Sequence, residues 1–98
     1  GITLTGGEPF RQPEACRILA EAAREAGLNV WAYSGYTYEE IQRNPAMRAL
    51  LSKVDVLVDG RFILAERSLS LRFRGSRNQR LIDVPKSLES GTVVQIPD

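Results

Sequence analysis

The chain holds 98 residues, 43% of them hydrophobic, with thirteen basic and twelve acidic side chains and a net charge of +1. That size supports one small core, so a single domain over residues 1–98 is expected, and the near-neutral balance argues against recruiting nucleic acid or an anionic membrane surface. No apolar run has the length of a bilayer span and nothing at the start has the form of a signal peptide, which points to a cytoplasmic setting; a lone cysteine, Cys16, forms no internal disulfide and cannot by itself hold an iron–sulfur cluster or a structural zinc.

The first ten residues read as a short buried strand, Ile2-Thr3-Leu4-Thr5, entering the glycine turn Gly6-Gly7, with the carboxylate of Glu8 just past it. Adjacent glycines allow positive φ and close backbone approach to a ligand, and Pro9 biases Glu8 towards an extended conformation. At the carboxyl end of a strand this presents main-chain oxygens and one carboxylate to the crevice where α/β sheets bind ligands, chemistry that suits a cation such as an ammonium. The plainer alternative is an ordinary strand-to-helix turn, with Glu8 an early helical residue favoured by the helix dipole.

Pro13 opens and Gly27 stops a predicted amphipathic helix whose buried face is expected to carry Ala15, Ile18, Leu19, Ala22, Ala23 and Ala26. Residues 28–33 are rich in β-branched and aromatic side chains and read as a second strand, parallel to the first through a right-handed crossover. Tyr33, Ser34 and Tyr36 should then emerge beside Glu8, either as part of a site or as a hydroxyl cluster satisfied within the fold. Thr37 and Glu40 have the spacing of a capping box, Pro45 restarts the helical pattern, and Met47, Leu50 and Leu51 face the core. Residues 54–58 form an almost continuously apolar third strand ending at Asp59-Gly60. Asp59 and Arg61 therefore fall on the rim that carries Glu8, although Asp-Gly is also a common surface turn.

Residues 69–74 alternate apolar and polar, which predicts a strand with one wet face; 75–79 read as a polar loop. Arg72, Arg74, Arg77 and Arg80 make this region basic, and Arg74, Asn78 and Gln79 are candidates for contacting a partner; a solvated charged loop is the alternative. Residues 81–84 and 92–96 predict two further strands around a helical turn starting at Pro85 and closed by Gly91. The order of elements indicates an α/β fold with a mostly parallel sheet.

Gly6-Gly7-Glu8-Pro9 after an apolar strand resembles the motif with which radical S-adenosylmethionine enzymes hold the amino group of the methionyl moiety. Val30-Trp31-Ala32-Tyr33-Ser34-Gly35-Tyr36, Val58-Asp59-Gly60-Arg61-Phe62 and Arg74-Gly75-Ser76-Arg77-Asn78-Gln79 resemble, in order, stretches of the anaerobic ribonucleoside-triphosphate reductase activating proteins. The resemblance implies a partial (β/α) barrel truncated at its amino-terminal side. It also implies an oxidoreductase that cleaves S-adenosylmethionine reductively at a [4Fe-4S] cluster and generates a glycyl radical on its partner reductase.

Gly6, Gly7, Glu8, Pro9, Tyr33, Ser34, Asp59 and Arg61 would form part of the cofactor cradle. The family's C-x₃-C-x₂-C cluster motif precedes the glycine motif and has no counterpart here, so the chain is expected to be a fragment without catalytic or metal-ligating residues, inactive alone and prone to self-association through its first strand. A pyruvate formate-lyase type activating enzyme and a non-catalytic nucleotide- or partner-binding domain are the alternatives.

Overall fold

A computed structural model describes residues 1–97. Four strands form one open sheet in the order β1 (Ile2–Leu4), β2 (Val30–Tyr33), β3 (Val56–Asp59) and β4 (Arg80–Asp83). The first three run parallel and β4 runs antiparallel to β3, with Leu4 beside Ala32, Ala32 beside Leu57 and Leu57 beside Ile82. The α/β class and the mostly parallel sheet are thus as expected.

One face of the sheet is covered by α1 (Pro13–Glu25) and α3 (Pro45–Leu51), with the short α2 (Tyr38–Gln42) leading into α3. Val30, Ala32 and Leu57 meet Phe10, Ala20, Ile41, Leu50 and Leu51 in this layer, all fully buried. On the opposite face Trp31 and Tyr33 are half-buried and meet the 60–79 loop: the Trp31 and Phe73 rings lie 5.0 Å apart, and the Tyr33 hydroxyl donates to the Phe73 carbonyl at 2.9 Å.

The helix boundaries follow local chemistry. Pro13 opens α1, and Gly27, at φ 78°, closes it in a Schellman arrangement: Leu28 N–H donates to the Ala23 carbonyl and Gly27 N–H to that of Arg24. The capping box at α2 is complete, Thr37 Oγ1 accepting from Glu40 N–H while the Glu40 carboxylate accepts from Thr37 N–H. Asn44 caps α3 by accepting from Ala46 and Met47, and Asp83 caps α4 (Val84–Ser90), which Gly91 ends in the left-handed region. Asp55 fixes the entry to β3 by accepting from Val30 N–H and from Arg24.

Three expectations are corrected. The buried stripe of α1 is Cys16, Ala20 and Ala23, whereas Ile18 and Leu19 are 60% and 58% exposed, with Ala15, Ala22 and Ala26 beside them in solvent. Small side chains let α1 lie close to α3 and β2, a fit that Ile18 and Leu19 would prevent. Residues 69–74 form no strand, because no neighbouring strand offers them a ladder; the loop is closed by the bridge between Arg67 and Ser76 and the hydrogen bonds around it. Residues 92–96 likewise make a single bridge, Ile82 with Gln95, supported by backbone bonds from Asp83 to Val94 and from Ile96 to Leu81.

Candidate functional site

The carboxyl ends of β1, β2 and β3 meet on one rim. Gly6 and Gly7 turn the chain there with φ of 75° and 61°, and neither would place a Cβ within 4 Å of another atom, so their backbone borders open space. Glu8 follows in an extended conformation at φ −121° and caps a 3-10 turn (Pro9–Arg11) by accepting from Phe10 N–H at 3.1 Å. The capping role and the rim position coexist in one side chain.

The rest of the Glu8 carboxylate is held by the end of β2. Ser34 Oγ donates to it at 2.9 Å and Gly35 N–H at 2.7 Å, while the same Ser34 oxygen accepts from Tyr36 N–H. A carboxylate offers about four acceptor positions, so three protein donors leave roughly one for a ligand. Glu8 lines a cavity of about 180 Å³ with Arg11, Gly35, Tyr36, Glu40 and Arg61. Among the described residues the Arg11 and Arg61 guanidiniums make no hydrogen bond or ion pair, so this cavity offers two carboxylates, Glu8 and Glu40, and two cations outside any ion pair. Gly35 lies close to both Glu8 and Arg61: a Cβ there would be 3.5 Å from Glu8 Oε1 and 3.8 Å from Arg61 Cγ.

A second cavity of about 200 Å³ lies on the other side of Gly35, lined by Thr5, Gly7, Tyr33, Ser34, Gly60, Phe62 and Gln79. Its walls are largely backbone and aromatic edge. Three glycines, at positions 7, 35 and 60, keep it open.

Asp59 ends β3 on this rim but faces inward and is 1% exposed. Its oxygens accept from Tyr38 N–H at 2.7 Å and from Arg80 Nη2 and Nε at 2.5 and 3.0 Å. Arg80 bridges on to Glu39 at 2.6 Å. These carboxylates hold the Arg80 guanidinium above its usual range, and the hydrogen bond from Arg80 holds the Glu39 carboxyl below its own. Arg80, named only as part of a basic run in the sequence, is therefore the ion that locks α2, β3 and β4 together. The signal was an arginine opening a strand that pairs with one ending in aspartate, and the register sets Asp59 directly opposite Arg80.

The residues expected to meet a partner also turn inward. Gln79 accepts from Gly75 and Ser76 N–H and donates to the Gly60 carbonyl; Asn78 donates to the Arg61 carbonyl and accepts from Ser76; Arg74 donates to the Gln79 carbonyl. A Cβ on Gly75 would come within 2.8 Å of the Phe62 ring. Arg74, Asn78 and Gln79 thus knit the 60–79 loop onto the end of β3.

The 4Fe-4S single cluster domain model matches residues 1–82. The chain belongs to that family. Among curated relatives, 83 residues are 35% identical to the anaerobic ribonucleoside-triphosphate reductase-activating protein of Pasteurella multocida, 36% to that of Haemophilus influenzae and 34% to that of Escherichia coli K12. Each match takes in 81% of this chain and 52 or 53% of the relative, so the chain spans about half the length of the curated relatives it matches. No solved structure matches it significantly.

The residues of this 4Fe-4S family member do not by themselves fit a four-iron cluster, which is held by several cysteine thiolates. Cys16 is the single cysteine, it lies half-buried in α1, and burial pushes its thiol up from the usual range and away from the thiolate form. No group of three or more His, Cys, Asp or Glu among the described residues could hold a metal ion. The glycine rim, by contrast, fits a small zwitterion, since it joins an anchored carboxylate, uncommitted guanidiniums and open backbone. No described helix is long and apolar enough to cross a membrane.

Proposed function

We propose that this chain is the S-adenosylmethionine-holding part of a radical S-adenosylmethionine activating enzyme, and that the enzyme's protein substrate is anaerobic ribonucleoside-triphosphate reductase. The observation that carries the reading is that Glu8 and Arg61 line one cavity at the carboxyl ends of parallel strands. An α-amino acid presents an ammonium and a carboxylate a few ångströms apart, and a cavity lined by side chains of both signs, Glu8 and Glu40 with Arg11 and Arg61, complements both. The relatives are named as activating proteins of that reductase, which supports it as the partner.

In this reading Glu8 takes the ammonium and Arg61 the carboxylate, with Gly6, Gly7 and Pro9 shaping the turn. Ser34 holds Glu8 in place, Tyr33 borders the glycine crevice, and Asp59 acts from behind by fixing the end of β3. When bound, S-adenosylmethionine supplies the reactive sulfonium chemistry; the chain's own residues bind it and orient it. The cluster ligands are not among these residues, so the chain on its own is expected to be inert. The open four-stranded sheet is read as part of a partial (β/α) barrel, one domain over 1–98, in a cytoplasmic protein. The exposed edge of β1 and the apolar outer face of α1 are the surfaces through which a second copy would pair.

The test is calorimetric titration of S-adenosylmethionine into the chain and its Glu8→Gln variant. A charge-assisted hydrogen bond contributes about 1.5–3 kcal/mol, so the variant should bind about 10- to 100-fold more weakly. Equal affinity, with an unchanged thermal melt, would remove Glu8 from the site.

A further inference from the structure

Charge is segregated along this chain. Between Arg61 and Arg80 lie six arginines, no lysine and one acidic residue, Glu66; the remaining positions carry seven basic and eleven acidic side chains. The same stretch exposes apolar surface. Of the nine large hydrophobic side chains exposed in the molecule's described part, five fall within 62–73, led by Leu69 at 92% and Leu64 at 68%. Single exposed hydrophobics are ordinary, but five within twelve residues, set among arginines, mark an interaction surface.

The loop that carries them is held in shape. Arg67 pairs with Ser76 in an antiparallel bridge and Arg77 N–H donates to the Glu66 carbonyl at 3.0 Å, which sets Arg67 opposite Ser76 and Arg77 opposite Glu66 at its neck. Ser76 accepts from Ile63 N–H, and Gln79 ties the loop's return to Gly60. Among the described residues the guanidiniums of Arg67 and Arg77 make no hydrogen bond or ion pair, and their one acidic neighbour in the stretch, Glu66, does not engage them. The polar side chains of the motif face inward and the apolar ones face out, the reverse of a solvated loop.

We propose that residues 62–77 form a docking surface for a polypeptide segment of the partner that presents carboxylates around an apolar anchor. Leu69 and Leu64 supply the apolar contact, and Arg67 and Arg77 take the carboxylates. An apolar centre rimmed by arginine is the composition of protein–protein contacts, and the guanidinium fork matches a carboxylate bidentately. Nucleic acid would use the arginines but gain little from two exposed leucines, since phosphate contacts dominate its affinity. Phe62 belongs both to this surface and to the wall of the 200 Å³ glycine crevice, so a segment docked here sits at the mouth of the site. The proposal rests on the functional reading only in naming the reductase as the macromolecule that carries the segment.

Binding of the chain to purified anaerobic ribonucleoside-triphosphate reductase by biolayer interferometry tests it, with Leu69→Asp, Arg67→Glu and Arg77→Glu as variants and Lys86→Glu, at an exposed position of α4, as control. Wild type should bind, weaken as salt rises beyond about 0.15 M, and lose affinity about tenfold or more in each of the three loop variants, with Lys86→Glu unchanged. Loop variants that bind like wild type, or no binding by wild type, overturn the docking surface. Binding to a single-stranded oligonucleotide or to anionic phosphatidylserine vesicles, lost in the same variants while the reductase is ignored, overturns the choice of a polypeptide. The cofactor reading is judged separately, by S-adenosylmethionine titration of the same samples, so either proposal can fail alone.

Discussion

The rim at residues 5–8, 34–38 and 59–60 and the loop at 61–79 both carry sequence motifs rich in polar residues, yet they use them in opposite ways. At the rim, backbone and side-chain donors converge on Glu8 and leave part of its carboxylate facing a cavity. In the loop, Gln79, Asn78 and Ser76 spend their hydrogen bonds on one another and on the Gly60–Arg61 backbone, and Leu64 and Leu69 are left outside. A motif therefore marks a constrained conformation first, and the group it offers to a ligand or partner is whichever one the internal network leaves over.

The sharpest way to break the rim is to remove the ion that holds its back wall. Arg80→Met leaves the Asp59 carboxylate buried without its partner, a change that typically costs about 3–5 kcal/mol. Urea unfolding followed by circular dichroism should show that loss, and the double variant Asp59→Asn with Arg80→Met should recover part of it. A single variant as stable as wild type would mean that Asp59 is not held by this pair.

A smaller effect is expected in the loop. Gln79→Ala strands the Gly75 and Ser76 amides and the Gly60 carbonyl, and an unsatisfied buried group costs about 1–3 kcal/mol. Proteolysis between 62 and 77 should accelerate before global stability changes by a comparable factor, because the loop opens locally. Equal protease sensitivity would show that Gln79 does not shape the loop.

Local chemistry was legible in the sequence wherever a few neighbouring residues decide the outcome. The Thr37–Glu40 capping box, the Pro13 start and Gly27 stop of α1, the positive φ at Gly6 and Gly7, and the emergence of Ser34 beside Glu8 all follow from short-range rules. What was not legible depends on partners far along the chain. Two apolar stripes of α1 share helical spacing, and only the close approach of α3 and β2 selects Cys16, Ala20 and Ala23 over Ile18 and Leu19. Alternation at 69–74 has the period of a strand, but a strand needs a neighbour. The inward turn of Asp59 required β4, whose Arg80 lies 21 residues later in sequence.

The central claim is that the rim recognises a zwitterion through one carboxylate and one guanidinium. It is tested most directly by titrating the chain, its Glu8→Gln variant and its Arg61→Met variant with S-adenosylmethionine and with 5′-methylthioadenosine, which lacks both the ammonium and the carboxylate. Wild type should prefer S-adenosylmethionine by about tenfold or more, and each variant should narrow that gap while its affinity for 5′-methylthioadenosine stays as in wild type. Equal affinity of wild type for the two ligands, or a preference that survives both substitutions, would contradict the account.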